Sequence, residues 1–412
     1  MRVRSQRLVA LALAGLLVLA VGSAPAAAAT PPPPRLSAPS AVVFEESSDL
    51  PVLALNAGQR RLIASTTKMM TALLTVASLQ LTHVCTAPPY AATPLESTIG
   101  LRAGERMTVH DLLQAVMLPS ANDAANALSI CVAGSRAAFV ARMNQKAAAL
   151  GLRHTHFTTP VGLDNGGNYS TAADLARLAI ALRRNGFMRR TMDLPRAYLR
   201  SGDHPRTVVN RNDLVLDVPW VDGVKTGHTN AAGYILVASG TQDGLTFVSV
   251  VLGDPSEGTR DADALALLRW AFASFRMATP VTRGVVYARP RDRDRPGAHI
   301  DLVAAASVRR LVGRDVRVRV ETQAPDELAG PLKRGAREGT LIVRAGNRVI
   351  ARVALLTRRG VPALPLLTRA ARTIATPGSL VAIVVLLGGA AVLLRRRRWR
   401  AGSRRADMEA AA

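Results

Sequence analysis

Residues 60–74 read RRLIASTTKMMTALL. From Ser65 the stretch turns apolar on a helical period, with Met69, Leu73 and Val76 on one face, and the spacing predicts a helix through about Ser78. Ser65 and Lys68 stand three residues apart, so they share a face of that helix. A serine on a first helical turn also lies among backbone N–H groups that lack an intrahelical partner. Cations in this chain are nearly all arginine; lysine occurs only at Lys68, Lys146, Lys225 and Lys333. A buried lysine can lose its proton, and an arginine cannot. A neutral Lys68 can therefore take the proton of Ser65 and make its hydroxyl a nucleophile. Ser-x-x-Lys alone is a weak signal, because an exposed helical lysine matches it equally well.

The flanking segments set the layout. Residues 41–56 read as two short apolar strands around a polar turn. MTVHDLLQAVML (107–118) is a helix stopped by Pro119. NDAANALSICVAG (122–134) is another, opened by Asn122 or Asp123 as cap and closed by Gly134. TAADLARLAIALRRNG (171–186) is a further helix, YILVASGT and LTFVSVVLG pair as a hairpin, and RDADALALLRWAFASF (260–275) closes the unit. Strands first, helices in the middle and strands with a helix last imply an α+β fold, an antiparallel sheet with packed helices. Beyond residue 278 the pattern changes. Val316, Val318 and Val320 alternate with Arg317 and Arg319, and GTLIVRAGNRVIARVAL (339–355) reads as a hairpin, so 278–357 is expected to be a small all-β domain.

Two further motifs raise the weight of Ser65 and Lys68. LPSANDAAN supplies Ser120-Ala121-Asn122, and VDGVKTGHTNAAGY supplies Lys225-Thr226-Gly227. In this order the three motifs resemble those of the active-site serine penicillin-recognising enzymes. ASTTKMMTALL, SANDAANAL, HFTTPVGLD, YSTAADLARLA, VDGVKTGHT and LLRWAF resemble the D-alanyl-D-alanine carboxypeptidase family, low-molecular-mass penicillin-binding proteins, over roughly residues 38–276. PLKRGAREGTLIV (331–343) resembles that family's C-terminal β domain more loosely. Where the family has proline before Ala-Ser, this chain has Ile63, which implies a changed entry to the helix.

Residue chemistry and the resemblance together imply the roles. Ser65 is the nucleophile and Lys68 its base. Ser120 relays a proton to the leaving amine, since a hydroxyl both donates and accepts. Asn122 is expected to bond Lys68 and the substrate amide, and Lys225 to supply a fixed positive charge that keeps Lys68 neutral. Thr226 bonds the substrate carboxylate, and Gly227 lets the substrate backbone lie along an edge strand. Backbone N–H groups of Ser65 and His228 form an oxyanion hole, with the His228 side chain as a wall. Arg260 matches a family arginine that binds the terminal carboxylate; a surface residue opening a helix is the equal alternative. No metal or cofactor is expected: two cysteines cannot build a zinc site, and the histidines form no His-Glu-x-x-His. The His154-Thr155-His156 run reads as a solvated turn.

The resemblance implies removal of the terminal D-alanine from peptidoglycan stem peptides through an acyl-enzyme, with β-lactams as inhibitors. A DD-endopeptidase or transpeptidase would use the same residues. A class A β-lactamase uses a glutamate to activate the deacylating water, and none occurs between Glu105 and Glu257. A non-catalytic β-lactam sensor would need a signalling domain, which the short tail does not supply.

The termini and charge fix the expected location. Arg2, Arg4 and Arg7 precede an apolar run from Leu8 to Val21 and an Ala-rich stretch to Ala29, the pattern of a secretory signal peptide, followed by a Pro-rich linker at 30–40. Residues 377–394 are apolar and span about 27 Å as a helix, just enough for a bilayer core. Arg395 to Arg398 follow at once, which puts a basic tail, 395–412, in the cytoplasm. The catalytic domain at 41–277, the β domain and a 358–376 linker then lie on the outer face. A net charge of +24 would ordinarily suggest nucleic acid, but that location points to anionic lipid and wall polymers instead. Export also permits a Cys85–Cys131 disulfide, which sequence alone leaves open.

Overall fold

Alternation along two central strands organises the first unit. In the computed structural model, residues 30–48, 50–164 and 167–365 are described, with 377–409 as helical backbone. The expected signal peptide and residues 366–376 of the linker lie outside the described residues. The chain divides into two units, the first containing the described residues up to Met277 together with Leu311–Val316.

In chain order the first unit contains β1 (Ser40–Glu45), β2 (Pro51–Leu55), a 3-10 turn (Ala64–Thr67) running into α1 (Lys68–Ser78), β3 (Val84–Thr86) and β4 (Arg106–Thr108). Helices α2 (Val109–Met117), α3 (Asn122–Ala133), α4 (Arg136–Ala149) and α5 (Ala172–Arg183) follow. The hairpin of β5 (Arg196–Leu199) and β6 (Arg206–Val209) precedes β7 (Val221–Thr229), β8 (Gly233–Gln242), β9 (Leu245–Asp254) and α6 (Glu257–Ser274). The main sheet is antiparallel with order β2-β1-β9-β8-β7, which leaves β7 and its Lys225-Thr226-Gly227 at an edge.

Successive side chains of a strand point to opposite faces. Ile235 and Val237 accordingly enter a core shared with the central helices, while Leu236 and Ala238 enter a second core against Leu267, Leu268 and Phe272 of α6. Both faces of β8 and β9 are covered, so these strands are apolar on both sides. The α+β expectation holds.

Two helix starts differ from the sequence reading. The cap of α3 is Ala121, with no side-chain bond, rather than Asn122 or Asp123. Both side chains are used elsewhere: Asp123 accepts the backbone N–H groups of Ile99 and Leu101, holding the loop before β4 against α3. Helix α6 begins a turn earlier than expected because Ser256 and Thr259 form a capping box.

Cys85 and Cys131 are bonded, joining β3 to α3 across 46 residues of sequence. Closing a loop of that length restricts the unfolded chain by about 4 kcal/mol. Replacing both cysteines by alanine is expected to lower the melting temperature by that equivalent, measured by calorimetry. An unchanged melt would show that the bridge does not limit the unfolded ensemble.

The second unit has an antiparallel sheet of β10 (Val286–Ala288), β11 (Leu302–Ala304), β12 (Val318–Gln323), β13 (Arg337–Ala345) and β14 (Arg348–Thr357), in the order β10-β11-β14-β13-β12. Leu302, Leu341, Val343 and Leu355 fill its core. Ala345 pairs with Arg348, so a two-residue turn at Gly346-Asn347 joins the hairpin. Helix α7 spans Pro377–Glu409, with exposed apolar side chains at Val384, Leu387 and Leu393. Among the described residues no single helix is long and apolar enough to cross a membrane.

Candidate active site

Ser65 lies in the 3-10 turn and Lys68 opens α1, with the lysine Nζ donating to Ser65 Oγ at 2.9 Å. The preceding Ala64 has φ +45°, a left-handed conformation that side chains resist and that structures retain at functional sites. Two glycines let other segments close on this turn. A Cβ on Gly162 would stand 2.0 Å from the Ala64 carbonyl oxygen, so only glycine lets the 160–162 loop approach. The adjacent Val161 carbonyl then accepts a second hydrogen bond from Lys68 Nζ at 2.9 Å. On the other side, a Cβ on Gly227 would meet the Ile63 oxygen at 3.1 Å and the Ser65 nitrogen at 3.3 Å. Gly227 therefore brings β7 against the nucleophile turn. The expectation that its bareness faces the substrate is corrected.

Lys68 is wholly buried, and that burial pulls its amine down to about 7. Glu96 pushes it up, the Arg211 guanidinium down, and Asp123 up. Lys225 is also buried, and its amine too lies well below the ordinary value, first from burial and then from Lys68, Arg211 and Arg260. The reading of Lys225 as an unperturbed fixed charge is therefore corrected: burial beside other cations makes it easier for the amine to shed its proton. Arg211, which cannot, is the permanent charge felt by both lysines. It is exposed, and it lines a cavity of about 790 Å3 together with Asn210, Asp213 and Glu257.

Asn122 does not make the expected bond to Lys68. Its Nδ2 donates to Glu96 at 2.7 Å, and Val161 takes the place beside the amine. Tyr90 also donates to Glu96, and Thr93 donates through its backbone N–H. Burial pushes the Glu96 carboxyl up, but these hydrogen bonds outweigh it and hold the group below its usual range. A glutamate thus does reach the site, from the loop before the second motif. Replacing Glu96 by glutamine removes the charge that raises Lys68. The acidic limb of the acylation profile, set near 7 in the wild type, is then expected to move to lower pH. Stopped-flow acylation across pH checks this, and an unmoved limb would mean that Glu96 does not act on Lys68.

Ser120 has φ +67°, and its buried Oγ has no hydrogen-bond partner. A strained, unsatisfied hydroxyl is unusual enough to require a use. Thr226 is buried on β7, while the exposed His228 ring stacks on Tyr234 with centroids 4.0 Å apart. Arg260 is 2% exposed, which excludes a surface residue. Its guanidinium is engaged by Asp261 at 2.9 Å and Glu257 at 3.0 Å rather than held open for a ligand. Ser65, Lys68, Asn122, Lys225 and Gly227 are thus brought together, with Glu96, Arg211, Tyr90 and Val161 as additions that sequence reasoning missed.

The comparisons agree with this geometry. A family model described as D-alanyl-D-alanine carboxypeptidase matches residues 26–256. The chain is 32% identical to the D-alanyl-D-alanine carboxypeptidase DacF of Bacillus subtilis over 323 residues, 76% of this chain and 83% of that protein. It is 32% identical to DacA of Escherichia coli over 349 residues, 80% of this chain and 84% of that protein. Among solved structures, penicillin-binding protein 5 from Haemophilus influenzae superposes with a TM-score of 0.64 at 30% identity, covering 80% of this chain and 99% of that one.

Proposed function

The chain belongs to the D-alanyl-D-alanine carboxypeptidase family, and from that premise we propose how its residues divide the work of a serine-type carboxypeptidase on stem peptides ending in D-Ala-D-Ala. The observation that carries the assignment is the 2.9 Å bond between Ser65 Oγ and the fully buried Lys68 amine, lowered to about 7. At neutral pH a large fraction of that amine is unprotonated and accepts the serine proton as Oγ attacks the carbonyl of the penultimate D-alanine. The Ser65 backbone N–H and the edge of β7 stabilise the developing oxyanion. Ser120, with its unpartnered hydroxyl, passes a proton to the departing amine. Lys225, Thr226 and Arg211 receive the terminal carboxylate, and Arg260 supports them from behind through its charge. Water then releases the shortened peptide from Ser65. β-Lactams enter the same first step and remain as the acyl-enzyme.

The purified full chain is expected to release D-alanine from a D-Ala-D-Ala peptide and to be labelled at Ser65 by a fluorescent penicillin. Labelling without any D-alanine release would favour a sensor over an enzyme.

We further propose that the chain is exported by residues 1–29 and anchored by 377–394. The apolar run ending at Arg395 to Arg398 supports this. Cell fractionation with a chain truncated after residue 376 tests the anchor, and a truncated chain that stays with the membrane counts against it.

A further inference from the structure

A histidine stands beside the disulfide that joins β3 to α3. His83 comes two residues before Cys85, and its backbone is held on both sides. Its N–H donates to the Gln80 carbonyl at 3.0 Å, and its carbonyl accepts from the Val109 N–H at 2.8 Å. Side chains alternate along an extended chain, so residues 83 and 85 share a face. Cys131 reaches that face from the last turn of α3. One ligand atom from each residue, an imidazole nitrogen and two sulfurs, all lie within 4.8 Å of one another. Among the described residues no other three His, Cys, Asp or Glu side chains are gathered so closely.

Bonded to each other, the sulfurs cannot serve as thiolate ligands. An external thiol changes that. Cys131 is half-buried and Cys85 is 2% exposed, so the thiol meets Cys131 first. Its thiolate attacks the Cys131 sulfur, the S–S bond breaks, and Cys85 leaves with the electron pair and takes up a proton. A second external thiolate attacks the first one's sulfur, and Cys131 leaves in its turn. Two electrons have then passed to the protein, the external thiols depart as a disulfide, and two cysteine thiols remain. Each gives its proton to water on binding a divalent metal, and His83 contributes a nitrogen lone pair.

Two thiolates and one imidazole are zinc ligands, at about 2.3 Å for sulfur and 2.0–2.1 Å for nitrogen. In a tetrahedron those lengths put the ligand atoms about 3.6–3.8 Å apart, so the sulfurs separate and the exposed His83 ring closes by about 1 Å. Two cysteines alone do not make such a site; His83 is the ligand that folding adds to them. We infer that Cys85, Cys131 and His83 form a zinc site, its fourth position open to water, once a thiol has opened the bridge. The ion then takes over from the disulfide in tying β3 to α3. Bridge and metal exclude each other, because both need the same sulfurs. None of the three side chains is used in acylation at Ser65, so the inference stands apart from the carboxypeptidase reading.

The test uses the full chain, reduced with a phosphine. The phosphine takes an oxygen from water as both sulfurs take up hydrogen, and it leaves no thiol to compete for metal. Cobalt is the probe, because thiolate ligation gives it a charge-transfer absorption that histidine or carboxylate ligation does not. The reduced chain is expected to show that absorption, saturating at one cobalt per chain and lost when zinc is added, and the oxidised chain to show none. Zinc at about a hundredfold excess over its dissociation constant should raise the melting temperature of the reduced chain by about 5 °C and leave the oxidised chain unmoved. His83→Ala should weaken cobalt binding to the reduced chain by at least about tenfold. The residue is exposed, and melting of the oxidised variant checks that its fold is intact. No thiolate–cobalt absorption from the reduced chain, folded or not, overturns the site. Binding by His83→Ala at wild-type affinity overturns it too, and so does a melting temperature of the reduced chain that zinc does not raise.

Discussion

Lys68→Arg lowers kcat/KM for D-alanine release by about 10²–10⁴-fold, the range that a general base contributes. The substitution keeps a cation in place and adds hydrogen-bond donors, so a role for charge alone would survive it. The lysine is wholly buried and its amine is at about 7, whereas a guanidinium remains protonated at any workable pH. Ser65 Oγ then faces a permanent donor and keeps its proton. Labelling by a fluorescent penicillin should fall in parallel, because both substrates acylate through the same oxygen. Wild-type acylation should decline as pH drops through about 7, as the amine takes up its proton, and the residual variant rate should lack that limb. A melting curve separates lost chemistry from lost folding. A folded variant within tenfold of wild type would mean that some other group receives the serine proton.

The parts of the site that sequence revealed are those carried by contiguous residues. Ser65 and Lys68 are joined by one helical turn, and Lys225 to Gly227 by one strand, so each set is contiguous in the chain, the first legible from helical spacing and the second from the motif resemblance. The missing parts come from loops brought in by close approach. Glu96 and Tyr90 lie in the segment held to α3 by Asp123, and Val161 reaches Lys68 only because residue 162 is glycine. No spacing rule announces a backbone carbonyl as the second partner of a buried amine. The caps show the same limit. Asn122 has the right chemistry for a helix cap, but it stands inside the first turn behind Ala121, and its Nδ2 donates to Glu96 instead. Lys225 was legible as a cation and not as a depressed one, since its shift depends first on burial and then on Lys68, Arg211 and Arg260, which only folding gathers. Helix α4 went unread because it buries only Phe139, Met143 and Ala147, a stripe too thin to stand out in an Ala-rich segment.

Arg206→Met destabilises the first unit by about 3–5 kcal/mol, the cost of breaking a buried ion pair from one side. Arg206 holds Glu105 through two parallel bonds, at 2.7 and 3.0 Å, and donates to the Ile99 carbonyl at 2.9 Å. The Glu105 side chain has no exposed surface. Without the guanidinium its carboxylate remains buried, with only the backbone N–H groups of Asp203 and Arg102 to satisfy it. A loss of this size corresponds to roughly 10 °C in melting temperature for a unit of some 250 residues. Acid distinguishes an uncompensated charge from simple loss of packing. In the wild type, burial raises the Glu105 carboxyl, but the bonds from Arg206, Asp203 and Arg102 outweigh it and hold the group at about 2, below its ordinary 4.5. Its contribution to stability is therefore complete above 4.5 and is lost as pH falls towards 2. In the variant, burial dominates, the folded carboxyl rises above its unfolded value, and the sign reverses: the penalty shrinks as pH is lowered from 7 to 4. Arg206→Met combined with Glu105→Leu should recover more than half of the loss at pH 7, because no buried charge is left unpaired. Urea titrations of the wild type and the two variants at pH 7 and 4 measure all of this. A penalty for Arg206→Met that is the same at both pH values, with no recovery in the double variant, would show that the guanidinium stabilises this loop by filling space and not by its charge.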